Sequence, residues 1–229
     1  NRFAANPPVF ISTVNPEVRV KVTTNLLRDY GYFNGKVAYE TVVDKKDSLK
    51  AGIIYTVDMK NPYFIDTVYY QRFTPQTLRI MERGRRMSYI SPGEQFNVVD
   101  LDEERSRIST LLRNLGYFYF RPDYMTYQAD TTLVPGGHIS LRMIPVPGLP
   151  AAAQRPYYVG LLNAAAFYGA ALQQPQVFSV VIQHPTLRDN KKKNIRLQFV
   201  ARRNFPSDDL LEMRKTLTGY VRISSTLLT

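Results

Sequence analysis

His138 and His184 are the only imidazoles in 229 residues, and neither has an acidic neighbour at a spacing that would hold a metal. His138 follows Gly136-Gly137 at a strand start and His184 precedes Pro185, so both read as turn or surface positions. A His-dependent triad finds no support in that pair. Cysteine is absent, which removes disulfides, thiolate zinc sites and thiol catalysis. The acidic cluster Asp100, Asp102, Glu103 and Glu104 has the residue types that acid/base chemistry needs, yet a helix N-terminus attracts carboxylates with no further assumption. Pro135-Gly136-Gly137 is too short and too poorly placed to cradle a phosphate. The expectation is a protein with no enzyme activity, no metal and no cofactor.

Charge is the second source of chemistry. Thirty Lys and Arg stand against nineteen Asp and Glu, a formal net charge of +11. Such a surplus suits nucleic acid, anionic lipid headgroups or an acidic partner. The densest basic stretch runs from Arg188 to Arg203 and holds Lys191, Lys192, Lys193 and Arg196, with Phe199 and Phe205 nearby. No RNP-like, zinc-finger or helix-turn-helix pattern accompanies it. A basic nucleic-acid-binding repeat protein is therefore the alternative reading, and contact of Lys191, Lys192, Lys193 and Arg196 with an anionic surface is a candidate role. The longest apolar stretch, 157–172, is interrupted by Gly160, Asn163 and Gly169 and falls short of the roughly 20 residues of a membrane span. The chain opens Asn1-Arg2-Phe3 without Met, as an excised piece of something longer would.

The elements that position these residues are set by a repeat. Leu26-Leu27-Arg28-Asp29-Tyr30-Gly31-Tyr32-Phe33 returns as Leu111-Leu112-Arg113-Asn114-Leu115-Gly116-Tyr117-Phe118, six identities in eight positions at an offset of 85. Asn61-Pro62-Tyr63-Phe64-Ile65 is answered by Arg155-Pro156-Tyr157-Tyr158-Val159. Each pair reads as a helix end followed by a strand start. Pro62 and Pro156 mark junctions, where Tyr63 and Tyr157 can wedge between neighbours.

Asn15-Pro16 caps a first helix with Val18, Val22, Leu26 and Tyr30 along one side, stopped by Gly31. A strand over 36–43, a polar turn through Asp44-Lys45-Lys46-Asp47-Ser48 and a returning strand with Ala51, Ile53, Tyr55 and Val57 on one face follow. The second stretch is more complete. A strand at 62–70 leads to a helix opened by Thr74-Pro75, and Ile90-Ser91-Pro92-Gly93-Glu94 turns the chain. A longer helix is predicted to be capped by Asp100 with Glu103 and to bury Leu101, Ile108, Leu111, Leu112 and Leu115. A hairpin of 124–129 with Ile139, Leu141 and Met143 completes it. The order is β-α-α-β-β, with 146–153 as a proline-stiffened linker. Beyond Arg155, Phe205, Asp209, Leu210, Arg214 and Leu217 match Phe96, Asp100, Leu101, Arg105 and Ile108 at an offset of 109, which predicts another helix there.

These features together resemble POTRA domains, most closely those preceding the β-barrel in outer-membrane assembly factors of the BamA and TamA type. The resemblance is carried by the β-α-α-β-β order, the Leu111 to Phe118 helix end, Ile90 to Phe96 before that helix and the Pro-Tyr strand starts. It implies an α+β fold of tandem β-α-α-β-β modules, each a small three-stranded mixed sheet covered by two helices. On that basis 1–60 is a partial module, 61–146 a complete one and 155–229 a third, divergent or truncated one.

The family further implies a soluble array at the periplasmic face of the outer membrane, with a C-terminal β-barrel outside this sequence. Its partners would be unfolded outer-membrane or exported proteins and periplasmic accessory proteins, with anionic lipid headgroups as a further contact and nucleic acid as none. Binding would be by β-augmentation, in which an unpaired sheet edge accepts an extended peptide. The resemblance assigns that edge to the strand after the helix pair: Lys36, Ala38, Glu40 and Val42 in the first module and Tyr124, Thr126, Tyr127 and Gln128 in the second. Tyr32-Phe33 and Tyr117-Phe118 are expected to pack under the sheets.

Overall fold

The computed structural model describes residues 13–45, 50–133, 136–171, 175–183, 185, 187–192, 195–216 and 219–228. His184 and Lys193 lie outside them, as do Lys46 to Ser48, Pro135 and Leu217. The chain is α+β and divides into two compact units. One comprises Asn1–Val68, Ile90–Leu101 and Ala129–Leu141, the other Tyr69–Tyr89, Asp102–Gln128 and Arg142–Thr229.

In the first unit, helix α1 (Pro16–Asp29) begins where Asn15 Oδ1 accepts from the Val18 N–H at 3.3 Å, with proline in the first turn. It stops as its sequence demands. Gly31 takes φ +84°, its N–H donates to Arg28 O, and the Tyr32 N–H reaches back to Leu27 O at 2.8 Å. The Val18, Val22, Leu26 and Tyr30 side is exposed, whereas Leu27 is buried. Strands β1 (Lys36–Val43) and β2 (Ala51–Asp58) pair antiparallel as a two-stranded sheet.

Strand β3 (Phe64–Tyr70), helices α2 (Pro75–Arg83) and α3 (Val98–Asn114), and strands β4 (Met125–Asp130) and β5 (His138–Pro145) follow in the predicted β-α-α-β-β order. The sheet order is β3-β5-β4. The bond from the Phe64 N–H to Gly137 O and that from the Gln71 N–H to Met143 O run in one chain sense, so β3 and β5 are parallel. The Val146 N–H meets Tyr124 O at the start of β4, so β5 and β4 are antiparallel. This is a mixed sheet. Ile139, Leu141 and Met143 on β5 are buried, as their alternation predicts.

Two caps test the local reading. Thr74 caps α2 by accepting from the Thr77 N–H at 3.3 Å, with Pro75 next. At α3, however, Asn97 Oδ1 accepts from the Val99 N–H at 2.9 Å and Asp100 already lies inside the helix, so the expected Asp100–Glu103 capping box is replaced by an Asn cap three residues earlier. Glu104 is fully buried rather than a solvated charge at the helix start.

The second unit also carries strand β6 (Tyr157–Val159), helix α4 (Leu161–Phe167), and strands β7 (Val177–Gln183), β8 (Asn190–Lys192), β9 (Ile195–Arg202), β10 (Leu211–Thr216) and β11 (Gly219–Ser224). They form a six-stranded sheet of order β10-β11-β6-β7-β9-β8. The helix predicted from the offset-109 match is corrected here. Asp208–Leu210 makes one 3-10 turn, and Leu211 to Thr216 pairs residue for residue with Gly219 to Ser224. Tyr220, Val221 and Ile223 supply a strand partner, and cross-strand pairing overrides a pattern that is locally ambiguous. A small three-stranded, two-helix unit therefore describes the stretch from β3 to β5 and not this one.

Candidate polypeptide-binding edge

Strands β3 and β4 are the outer members of the three-stranded sheet, and they are not equivalent. The start of β3 is already paired on its outer side by the turn the sequence singles out. The Ile65 N–H donates to Glu94 O at 2.8 Å, the Gly93 N–H to Ile65 O at 2.7 Å and the Phe96 N–H to Tyr63 O at 2.9 Å. Gly93 makes this possible at φ +89°, and Glu94 closes the turn by accepting from the Ser91 N–H. Strand β4 has β5 on one side and no second strand among the described residues. An edge of that kind offers N–H and C=O groups to a further strand; its first position is engaged, the Met125 N–H donating to Pro122 O and the Met125 carbonyl accepting from Arg105 Nη1 at 3.3 Å.

Thr126, Tyr127 and Gln128 sit on β4, the first two half-buried and the third exposed. Burial, followed by the nearby Glu104 charge, pushes the Tyr127 phenol well above its ordinary pKa. Tyr124 does not belong with them. Pro122 opens a 3-10 turn ending at Tyr124, whose carbonyl is taken by Val146 and whose ring meets Phe120 edge-on at 6.1 Å. Proline lacks the donor a ladder needs and fixes φ, which sets the strand start at Met125.

Behind this region lies a buried ionic knot that the sequence reading missed. The Glu104 carboxylate accepts from Arg107 Nε at 2.7 Å and Nη2 at 2.6 Å, from the Tyr89 N–H at 3.1 Å and from the Tyr70 hydroxyl at 3.0 Å. Burial alone would raise its pKa. The Arg107 guanidinium, the Tyr89 N–H and the Tyr70 hydroxyl outweigh that and hold it below the ordinary carboxylate range. Burial and the Glu104 charge push the Tyr70 phenol up to about 12, and Arg85 lies over its ring at 4.5 Å. Arg107 also donates to Gly84 O at 3.1 Å, tying α3 to the end of α2. The signal in the sequence was Glu104 and Arg107 at i,i+3, a spacing common on solvated helix faces.

On β1, Lys36, Ala38, Glu40 and Val42 lie opposite Asp58, Thr56, Ile54 and Gly52 of β2, and all four are exposed. Lys36 borders a recess of about 680 Å³ with Lys60 and Tyr63. The Lys60 ammonium, 2.7 Å from Asp58, holds that carboxyl below its usual range. In the six-stranded sheet, Lys191 on the edge strand β8 faces Arg196 on β9, and both side chains are exposed. Lys192 ends β8.

Tyr63 and Tyr157 occupy matching hand-offs. The Tyr63 N–H donates to Gly31 O at 2.9 Å and the Tyr157 N–H to Gly116 O at 2.8 Å. Phe33 packs on Tyr63 and Phe96, and Phe118 on Tyr157, so these aromatic residues seat the next strand start rather than lining the underside of their own sheets. Among the described residues no three His, Cys, Asp or Glu converge as metal ligands, and no helix is long and apolar enough to cross a membrane.

No family model and no curated protein matches the sequence. Among solved structures, the chain is similar to the crystal structure of POTRA domains 3–5 of Haemophilus influenzae BamA, with 12% identity over 59% of this chain and 51% of that one, at a TM-score of 0.38. It is also similar to BamA from Haemophilus ducreyi lacking POTRA domains 1–3, with 14% identity over 62% of this chain and 24% of that one, at a TM-score of 0.39. The matched region thus spans about half the length of the first and a quarter of the second.

Proposed function

We propose that this chain is a POTRA-type scaffold of an outer-membrane assembly or translocation factor, working at the periplasmic face and holding extended client or accessory polypeptides. The complete module is 61–146, flanked by a partial one at 1–60 and a third, divergent or truncated one at 155–229 that is built on the six-stranded sheet and not on a three-stranded one. The single observation that supports this reading best is the asymmetry of the β3-β5-β4 sheet. The outer side of β3 is paired by 93–96, while β4 has a strand on one side. A client strand added along β4 pairs through its main chain, which reads conformation more than sequence and suits a scaffold with many clients. Thr126, Tyr127 and Gln128 flank that strand. Lys36, Ala38, Glu40 and Val42 on β1 offer a second edge of the same kind.

Ala129→Pro tests the edge directly, because the bond from the Val146 N–H to Tyr124 O turns the backbone groups of 124, 126 and 128 toward β5 and those of 125, 127 and 129 away from it. A variant that keeps its circular dichroism spectrum and binds an unfolded β-barrel polypeptide about tenfold more weakly supports the reading, since it loses a donor and disturbs its neighbours. Unchanged affinity in the folded variant overturns it.

The exposed Lys191–Arg196 pair supports an accessory contact of 191–196 with anionic headgroups. A Lys191→Gln, Lys192→Gln, Lys193→Gln variant should then co-sediment less with phosphatidylglycerol vesicles. Oligonucleotide binding that weakens steeply with salt would instead favour a nucleic-acid role.

A further inference from the structure

A recess of about 370 Å³ opens in the second unit between α2 and the turn that precedes β10. Arg79 and Arg83 border it from α2, four residues apart and therefore on one side of the helix. Both are exposed, and among the described residues neither is engaged in an ion pair. Arg222 of β11 reaches the same recess from the opposite wall and is itself buried. Its guanidinium donates to Leu115 O at 3.1 Å and to the Asp208 carboxylate. Asp208 is three-quarters exposed and is the only acid on the lining, so three guanidiniums face one carboxylate. Phe205 adds an apolar wall.

We propose that this recess binds an acidic segment of a partner polypeptide, whose carboxylates pair with Arg79 and Arg83 while an adjacent apolar side chain rests on Phe205. Three features carry the proposal. Free guanidiniums at one-turn spacing match carboxylates bidentately. The Arg222–Asp208 pair shows a carboxylate taken from the solvent side by the same recess. Apolar contact beside the charges favours a peptide over a bilayer, which meets a protein as a plane and engages a projecting basic patch more readily than a recessed one. The site is separate from the β4 edge and stands without it.

The test uses the full chain and a fluorescent peptide alternating Glu and Leu, with the Gln/Leu peptide as its uncharged counterpart. Arg79→Gln and Arg83→Gln should each weaken the acidic peptide about tenfold and leave the Gln/Leu peptide unaffected. Arg86→Gln, on the neighbouring turn and outside the recess, should change affinity less than twofold. Asp208→Asn should tighten binding severalfold by removing the competing carboxylate. Equal losses for Arg86 and Arg79 would reduce the effect to net charge and overturn the site. Displacement of the peptide by equimolar inorganic phosphate, or capture by phosphatidylglycerol vesicles that depends on Arg79 and Arg83, would assign the recess to phosphate and overturn the peptide.

Discussion

Helices α1 and α3 end in nearly the same eight residues and do the same thing with them, yet the bodies of the two helices live in different surroundings. Both stop at a glycine of positive φ, +84° at Gly31 and +93° at Gly116. Both send the residue after that glycine back to a leucine carbonyl, and both pass the glycine carbonyl to a tyrosine N–H that starts a later strand. Upstream the likeness ends. At the offset of 85, Arg19 stands for Glu104 and Thr23 for Ile108, and the α3 residues are buried while Arg19 is exposed. Identity is concentrated where geometry is shared, at the stop and the hand-off, and is lost where packing differs.

The two hand-offs also differ in tightness. Tyr157 is fully buried among Phe118, Tyr119 and Phe199, whereas Tyr63 is half-buried and borders the recess beside Lys36. A Cβ on Gly116 would collide with the Tyr157 carbonyl oxygen, while one on Gly31 would stand 2.9 Å from Phe96 O. Both junctions are thus backbone-tight, and the second is the tighter and the more deeply buried.

That contrast is open to attack at several positions. Tyr157→Ala should cost about 3–5 kcal/mol in urea unfolding, as a fully buried aromatic does, and Tyr63→Ala about 1–2 kcal/mol. Equal losses would erase the difference in burial. Glu104→Ala strands the partly buried Arg107 guanidinium and should cost about 3–5 kcal/mol, while Arg19→Ala should stay within about 0.5 kcal/mol. The same carboxylate gives a pH signature. Because its folded pKa lies below the ordinary 4.5, its contribution is complete above that value and is lost as pH falls through the folded one. Glu104→Gln should flatten the acid limb of a stability profile below the ordinary carboxylate pKa of 4.5; an unaltered limb would place the linkage elsewhere. Gly116→Ala should cost about 2–3 kcal/mol and Gly31→Ala about 1–2 kcal/mol, both adding a backbone collision to the left-handed strain and the first the closer one. A larger loss at Gly31 would reverse the ranking.

Much of this was legible locally. Asn15-Pro16 and Thr74-Pro75 announce helix starts, Gly31 and Gly116 announce stops, and the 90–94 turn falls where its residues place it, because each signal is satisfied within a few residues. What failed depended on distant partners. The 211–216 stretch becomes a strand because 219–224 pairs with it, and Glu104 becomes a buried acid because Arg107, Tyr70 and Tyr89 converge on it. The exposed stripe Val18, Val22, Leu26 and Tyr30 shows the same limit: periodicity marks a face without saying what covers it. Arg79, Arg83 and Arg222 meet across more than half the chain, so no spacing rule brings them together.

The central claim is that β4 accepts another chain's backbone. Amide hydrogen exchange across 125–130, measured before and after saturation with a short strand-forming peptide, tests it most directly. The account predicts that alternate β4 amides, those facing away from β5, slow at least tenfold while 93–96 is unchanged. Saturated binding with β4 exchange unaltered, or protection appearing along β3 instead, would contradict it.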